Sequence, residues 1–428
     1  MQPIACPAVL VSAIASGQGK TLCTAALARA WRNRGLSVQC FKAGPDFLDP
    51  MVLAVASGRP VYNLDLGMCG VEDGTAQLYK AAQAVDVIIV EGVMGLYDGT
   101  PSSADLAIQF NLPVLVTIDA SAMAQTFGAV ATGLLSYNPA LKPAGVIANK
   151  LGSIGHGTLL RDALASHPQS NHLIWFGALL KDDTFILPER HLGLHCAAEI
   201  DDLEAKIEAA AHTLADSGEL PLPPLATFNP PSQSALPQLL AGKTIAIARD
   251  DAFCFIYPAN LDCLKAMGAT LQFFSPLNDA EIPLADAIWL PGGYPELHLD
   301  KISQNTAMKN ALKLAAKNNI PILAECGGMM ALSEAINEEP AFELLTGQSK
   351  VTKSLQGIGT QHVILSGEHI SAHTFHYGVL ESPLVPEASA TAKYGQGEAV
   401  YQHGSITATF LHFYFPSNLN ATAALFLR

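Results

Sequence analysis

Short, mostly apolar runs alternate with longer stretches of helical periodicity along this chain. Residues 9–13, 38–42, 87–90, 114–118, 145–148 and 174–177 have strand length and the composition of strands buried on both faces. Between several of them lie amphipathic stretches such as 21–34, so the first half predicts a parallel sheet with helices on both faces. Six prolines fall between 217 and 240, which argues against regular structure there. The alternation resumes at 244–248, 271–274, 287–290 and 322–324, and beyond about 361 the chain becomes richer in strand-like segments and turns. The pattern divides the chain into an α/β domain at 1–216, a linker at 217–241 and a second α/β domain at 242–428.

Composition narrows the class. Half of the 428 residues are apolar and only 14% are charged, which excludes extended disorder. A net charge of −14 argues against nucleic acid or an anionic membrane as partner. No stretch reaches the roughly 18 apolar residues of a membrane span. The apolar run at 8–14 lacks a preceding basic residue and leads into a glycine loop, so it reads as a first strand and not a leader. The eight cysteines contain no Cys-x-x-Cys pair, as expected of buried thiols in a reducing, cytoplasmic setting.

Directly after the first strand comes Ser16-Gly17-Gln18-Gly19-Lys20-Thr21. Gly17 and Gly19 let backbone amides turn toward phosphates. Lys20 can reach the terminal phosphates of ATP, and Thr21 offers a hydroxyl to Mg2+ at a helix start. The loop is a deviant form, because Ile14 stands at the first glycine position and Ala15 where a partition-type ATPase carries its signature lysine. Two acidic stretches follow strand ends, Gly44-Pro45-Asp46-Phe47-Leu48-Asp49-Pro50 and Glu91 through Asp98. Carboxylates there can hold metal or face a substrate, with Glu91 the first candidate for metal and Asp46 a second. Asp46, Asp49 and Asp98 equally suit turn chemistry. Asn149 ends another strand, where it could read an adenine edge or simply make a turn. Lys42 ends a strand near the same rim and could meet phosphate or a carboxylate.

In the second half, Ala324-Glu325-Cys326-Gly327-Gly328 reads as a strand, a sharp turn and a helix start. That is a nucleophile elbow in cysteine form, with a thiol pKa expected to be lowered by the helix start. The amides of Gly327 and Gly293 can hold an oxyanion. The base must be a distant histidine, and His362, His373, His376, His403 and His412 are the candidates.

The chain as a whole resembles the a,c-diamide synthases of corrin biosynthesis. The resemblance rests on FKAGPDFLDP (41–50), ASGRPVYNLD (56–65), VEGVMGLYDG (90–99), PERHLGL (188–194), LPGGYPEL (290–297), AECGG (324–328) and AHTFHYG (372–378). It implies a dethiobiotin-synthetase-like domain that uses MgATP to phosphorylate peripheral carboxylates of a corrin. It also implies a class I glutamine amidotransferase-like domain that releases ammonia from glutamine. On this reading Lys20 and Thr21 belong to the phosphate loop. Asp46, Asp49, Glu91 and Asp98 surround magnesium and the activated carboxylate, Cys326 is the glutaminase nucleophile and His412 its base. The chain departs from the family at Leu22, Tyr414 and Thr360-Gln361. Cobyrinic acid is the leading substrate; hydrogenobyrinic acid, a nickel tetrapyrrole, or a partner-regulated ATPase switch are the alternatives. Oligomeric state is left open.

Overall fold

The computed structural model describes residues 2–427 except 186, 188, 191–192, 195, 233–235 and 394. Of the motif at 188–194, Pro188, His191 and Leu192 therefore lie outside the described residues. The chain forms two compact units, one of Met1–Leu66 with Gly70–Ser232 and one of Gly67–Cys69 with Gln233–Arg428.

In the first unit the strands are β1 (Ile4–Ala13), β2 (Val38–Ala43), β3 (Tyr62–Leu64), β4 (Val87–Glu91), β5 (Pro113–Asp119), β6 (Lys142–Leu151) and β7 (Ile174–Leu180). They lie in the order β3-β2-β4-β1-β5-β6-β7 and are parallel throughout. All six predicted strands are present, and β3 is the addition. The carboxyl ends of β2, β4, β1, β5 and β6 thus share one rim, where ligands bind in sheets of this kind. The helix Lys20–Asn33 starts at that rim, directly after β1 and its loop.

The proline-rich stretch corrects an expectation. Leu225–Phe228 is a strand that pairs antiparallel with Ile4–Pro7 of β1. Both parallel neighbours of β1 begin their pairing only at Ala8 and Leu10, which leaves its first residues open to another strand. Prolines flank 225–228 but none interrupts it, and Ala226 and Phe228 alternate inward. Local composition hid a segment that tertiary pairing orders.

The second unit is built on a seven-stranded sheet in the order Thr270–Phe274, Thr244–Ala248, Ala287–Leu290, Ile322–Glu325, Ile406–Thr409, Ala399–His403, Pro386–Ser389. The first five are parallel, and the last two are added through antiparallel pairings. A long hairpin, Gly357–Leu365 with Glu368–His376, carries His412–Phe413 as an added antiparallel strand. Among the described residues no helix is long and apolar enough to cross a membrane.

Candidate functional site

The phosphate loop is held from beneath by the ends of β5 and β6. Gly17 and Gly19 take left-handed φ of 75° and 80°. A Cβ on Gly19 would fall 2.3 Å from Asn149 Nδ2, so side-chain-free backbone is required at that contact. Asn149 donates through Nδ2 to the Gln18 carbonyl at 2.9 Å, and its Oδ1 accepts the Lys150 N–H at 2.9 Å. Asn149, read from the sequence as an adenine contact or a turn residue, braces the loop through these bonds. Gln18 Oε1 accepts the Asp119 N–H at 3.0 Å, and Lys150 pairs with Asp119 at 2.9 Å. Asp119 escaped the sequence reading, although it ends a parallel strand as Glu91 does. The Lys20 ammonium folds back over the loop and donates to the Met94 carbonyl at 2.6 Å. Burial, then the nearby Lys42, lowers its pKa.

Beside the loop lies a buried group of opposite charges. Thr21 donates its hydroxyl hydrogen to Glu91 Oε1 at 2.8 Å. Lys42 Nζ pairs with Asp49 Oδ2 at 2.7 Å and with Glu91 Oε1 at 3.0 Å. Glu91 is 0% exposed at the end of β4. Burial pushes Glu91 up to about 7, with Lys42 opposing. Asp46 is pushed up to about 8, first by burial and then by the Asp49 charge. Asp49 is held down at about 2, because Lys42 and the hydrogen bond from Asp46 outweigh its own burial. For Lys42 burial works against the charge, but Asp49 and Glu91 prevail and raise its pKa. Burial thus favours the neutral form of Asp46, while Lys42 favours the ionised form of Asp49. The Asn63 amide fixes this turn by donating to the Gly44 and Asp46 carbonyls, both at 2.8 Å.

The donor set fits one magnesium ion arriving with phosphates. Glu91 Oε2 is buried with no hydrogen-bond donor aimed at it, and the Thr21 hydroxyl is adjacent. Mg2+ commonly takes one or two carboxylates and completes its shell with water and phosphate oxygens. Among the described residues no cluster of three or more His, Cys, Asp or Glu forms a ready-made cage. Asp98 stands apart from the Lys42 cluster. It is exposed, and its Oδ2 accepts the Gly95 N–H at 3.0 Å, the turn role that its sequence context allowed.

In the second unit Cys326 joins the strand Ile322–Glu325 to the helix Gly327–Leu332 with φ 46° and ψ −110°. A non-glycine residue in that region is strained, and the strain turns the side chain out of the sheet. A Cβ on Gly292 would lie 2.3 Å from His412 Cε1 and 3.3 Å from Cys326 Cβ. Gly292 is thus the gap that lets imidazole and cysteine flank one spot. A Cβ on Gly327 would lie 3.0 Å from the Gly293 nitrogen, so the two amides expected to hold an oxyanion are neighbours.

The thiol corrects a second expectation. Burial, reinforced by the Glu296 charge, raises the Cys326 pKa, and the Gly327 N–H offsets only part of this. A six-residue helix supplies too little field to reverse the desolvation. A neighbouring base must therefore remove the proton. Burial, then His373 and His376, holds the His412 pKa well below its ordinary value, so its imidazole is neutral and able to accept. His373 sits opposite His412 in the strand register and is lowered by burial to about 3. His376 bonds Glu398 at 2.9 Å and the Gly378 carbonyl at 2.8 Å, and stacks on Phe410 at 3.9 Å. His362 and His403 are exposed. Tyr414 is buried against Tyr257, and Gln361 accepts the Glu398 N–H at 2.8 Å. Among the described residues no two cysteines are disulfide-bonded.

Comparison with known proteins covers both units. Residues 9–194 match the CobQ/CobB/MinD/ParA nucleotide binding domain, and residues 244–419 match the CobB/CobQ-like glutamine amidotransferase domain. Hydrogenobyrinate a,c-diamide synthase of Stutzerimonas stutzeri is 51% identical, covering 98% of each chain. Its counterpart in Pseudomonas aeruginosa is 47% identical over 98% of this chain and 97% of that one. Cobyrinate a,c-diamide synthase of Herminiimonas arsenicoxydans is 46% identical over 98% and 96%.

Proposed function

The chain belongs to the hydrogenobyrinate and cobyrinate a,c-diamide synthase family, and from that premise we propose how its two units divide the reaction. The enzyme is a glutamine-hydrolysing ligase of cobalamin biosynthesis that amidates the a and c acetate carboxylates of a corrin at the expense of ATP. The synthetase domain is the first unit, including the strand Leu225–Phe228 added to β1, and the amidotransferase domain spans 242–428. What carries the reading is the pairing, in one chain, of a phosphate loop beside buried carboxylates with a strained Cys326 flanked by a neutral imidazole.

In the synthetase domain Gly17, Gly19 and Lys20 cradle the ATP phosphates, and Asn149 keeps the loop shaped. Lys20 must leave the Met94 carbonyl to reach phosphate, a short swing of one side chain. Thr21, Glu91 and Asp46 would hold Mg2+, which neutralises phosphate charge when bound. Asp49 and Lys42 fix the electrostatics of the rim, and Asp98 supports the adjoining turn near Lys20. A carboxylate oxygen of the corrin attacks the γ-phosphorus, ADP leaves, and the acyl phosphate replaces a poor electrophile by a good one. Ammonia then attacks the acyl carbon, phosphate departs, and the lost proton leaves an amide.

In the amidotransferase domain His412 accepts the Cys326 proton, and the thiolate attacks the amide carbon of glutamine. The Gly293 and Gly327 amides receive the developing oxyanion, a contribution of about 3 kcal/mol for one such donor. The imidazolium returns the proton as ammonia leaves, and water hydrolyses the thioester to glutamate. Supplied ammonia bypasses this half. A cytoplasmic location fits a supply of ATP and glutamine and the absence of disulfides among the described residues.

Relatives named for both corrins bracket the substrate. The test offers cobyrinic acid and hydrogenobyrinic acid in parallel, with MgATP and glutamine, and reads products by mass spectrometry. Two-fold amidation of either one supports the proposal and identifies the metal state preferred. ATP hydrolysis with neither corrin amidated would contradict it.

A further inference from the structure

The residue before the nucleophile has no part in the scheme above, yet it is among the most committed side chains in the second unit. Glu325 is buried at 1% exposure at the end of the strand leading into Cys326. Its Oε1 accepts the Phe413 backbone N–H at 2.8 Å, and its Oε2 accepts the Trp289 Nε1–H at 2.9 Å. Phe413 is the residue after His412. The carbonyl of the same Phe413 accepts from Asn260 Nδ2 at 2.8 Å, and Asn260 Oδ1 accepts the Phe415 N–H at 2.8 Å. Asn260 is equally buried, at 1% exposure. The two peptide groups on either side of the Phe413 Cα are thus gripped by two buried polar side chains, one through the Phe413 N–H and one through its carbonyl. One of those side chains is joined by a single peptide bond to the nucleophile.

We propose that Glu325 and Asn260 are positioning residues of the glutaminase, clamping the backbone at Phe413 so that the His412 imidazole is held against Cys326. Tyr414, two residues beyond His412, is buried against Tyr257, and the orienting force on His412 comes through the main chain at Phe413. Burying a carboxylate for structural reasons alone is costly, and an apolar residue would fill the same space more cheaply. A carboxylate that spans nucleophile strand, base strand and Trp289 has geometric use: it fixes the separation of two strands that differ in sheet. The strand Ile322–Glu325 belongs to the seven-stranded sheet and His412–Phe413 to the hairpin sheet. Their side chains must converge within a hydrogen bond, and a misplacement of about 1 Å can cost on the order of 100-fold in rate.

The inference rests on the glutaminase reading and is tested within it. E325Q keeps the volume but turns an N–H toward one of the two donors. N260D keeps the acceptor for Phe415 and loses the donor to the Phe413 carbonyl. Each variant is assayed for glutamine-dependent and ammonia-dependent amidation, for glutamine KM and kcat, and for thermal midpoint. The clamp predicts that kcat with glutamine falls between about 10-fold and 100-fold while KM changes less than about two-fold. Ammonia-dependent amidation stays at the wild-type level, and the E325Q/N260D double variant loses less than the product of the single losses. Wild-type glutamine kcat in either variant overturns the proposal, and so does a loss shared equally by the ammonia-dependent reaction. A variant that does not fold leaves the other to decide. If the wild-type enzyme itself amidates with ammonia but never with glutamine, the glutaminase reading fails instead.

Discussion

The hydroxyl of Thr21 donates to Glu91 Oε1 at 2.8 Å, joining the first turn of the helix after the phosphate loop to the end of β4. Residues 70 positions apart thereby present one hydroxyl and one carboxylate to the same point on the rim. The second oxygen of Glu91 is buried with no donor, the arrangement expected of a ligand awaiting a cation. Glu91→Gln should therefore raise the Mg2+ concentration needed for half-maximal amidation by on the order of 10-fold or more. The effect should be the same with glutamine and with ammonia, since both share the activation step. An unchanged Mg2+ titration would remove Glu91 from the metal site.

Lys42 is the cation that lets Asp49 and Glu91 share a buried space. Lys42→Met should lower the unfolding free energy by about 3–5 kcal/mol, because removing one partner strands the others. Denaturant unfolding, with an ammonia-dependent assay on folded protein, checks this. A change below about 1 kcal/mol would mean that the carboxylates simply take up protons.

Cys326→Ala should abolish glutamine-dependent amidation and spare the ammonia-dependent reaction, since the activated carboxylate is made in the other unit. Steady-state assays with each nitrogen donor read this directly. Loss of both activities would mean that Cys326 serves the fold or the synthetase.

His373 gives a prediction for pH. It is held neutral, with a folded pKa of about 3 against an ordinary 6.5, so the unfolded chain binds a proton that the native chain refuses between those values. Native stability must fall as pH falls through that window, by up to about 1.4 kcal/mol per pH unit for one such group. His412 adds to the same slope, as its pKa is depressed too. His373→Gln should flatten the decline measured by urea unfolding between pH 6.5 and 5. An identical slope in wild type and variant would show that His373 is protonated in the native state.

Contiguity decided what could be read from the sequence. Gly17 to Thr21 and Glu325 to Gly328 are contiguous segments whose local order carries their geometry, and in the structure both lie where a strand leads into a helix. The strand runs were equally readable, because burial on both faces needs nothing beyond apolar composition. Leu225–Phe228 was hidden because its partner is the unfilled first four residues of β1, a fact of three-dimensional pairing. His412 could be separated from four other histidines only by resemblance, and its convergence with Cys326 depends on two sheets meeting at Gly292. The thiol pKa was misjudged because a helix start is visible in sequence and complete burial is not. Glu325 read as one more strand residue, since its partners Trp289 and Phe413 are 36 and 88 positions away.

The most direct test of the two coupled chemistries supplies the wild-type enzyme with corrin, MgATP, unlabelled ammonium at low concentration and glutamine labelled in its side-chain amide nitrogen. Mass spectrometry of the product should find both new amides carrying the label. Amides carrying only unlabelled nitrogen, or a corrin returned unchanged while ATP and glutamine are consumed, would contradict the account.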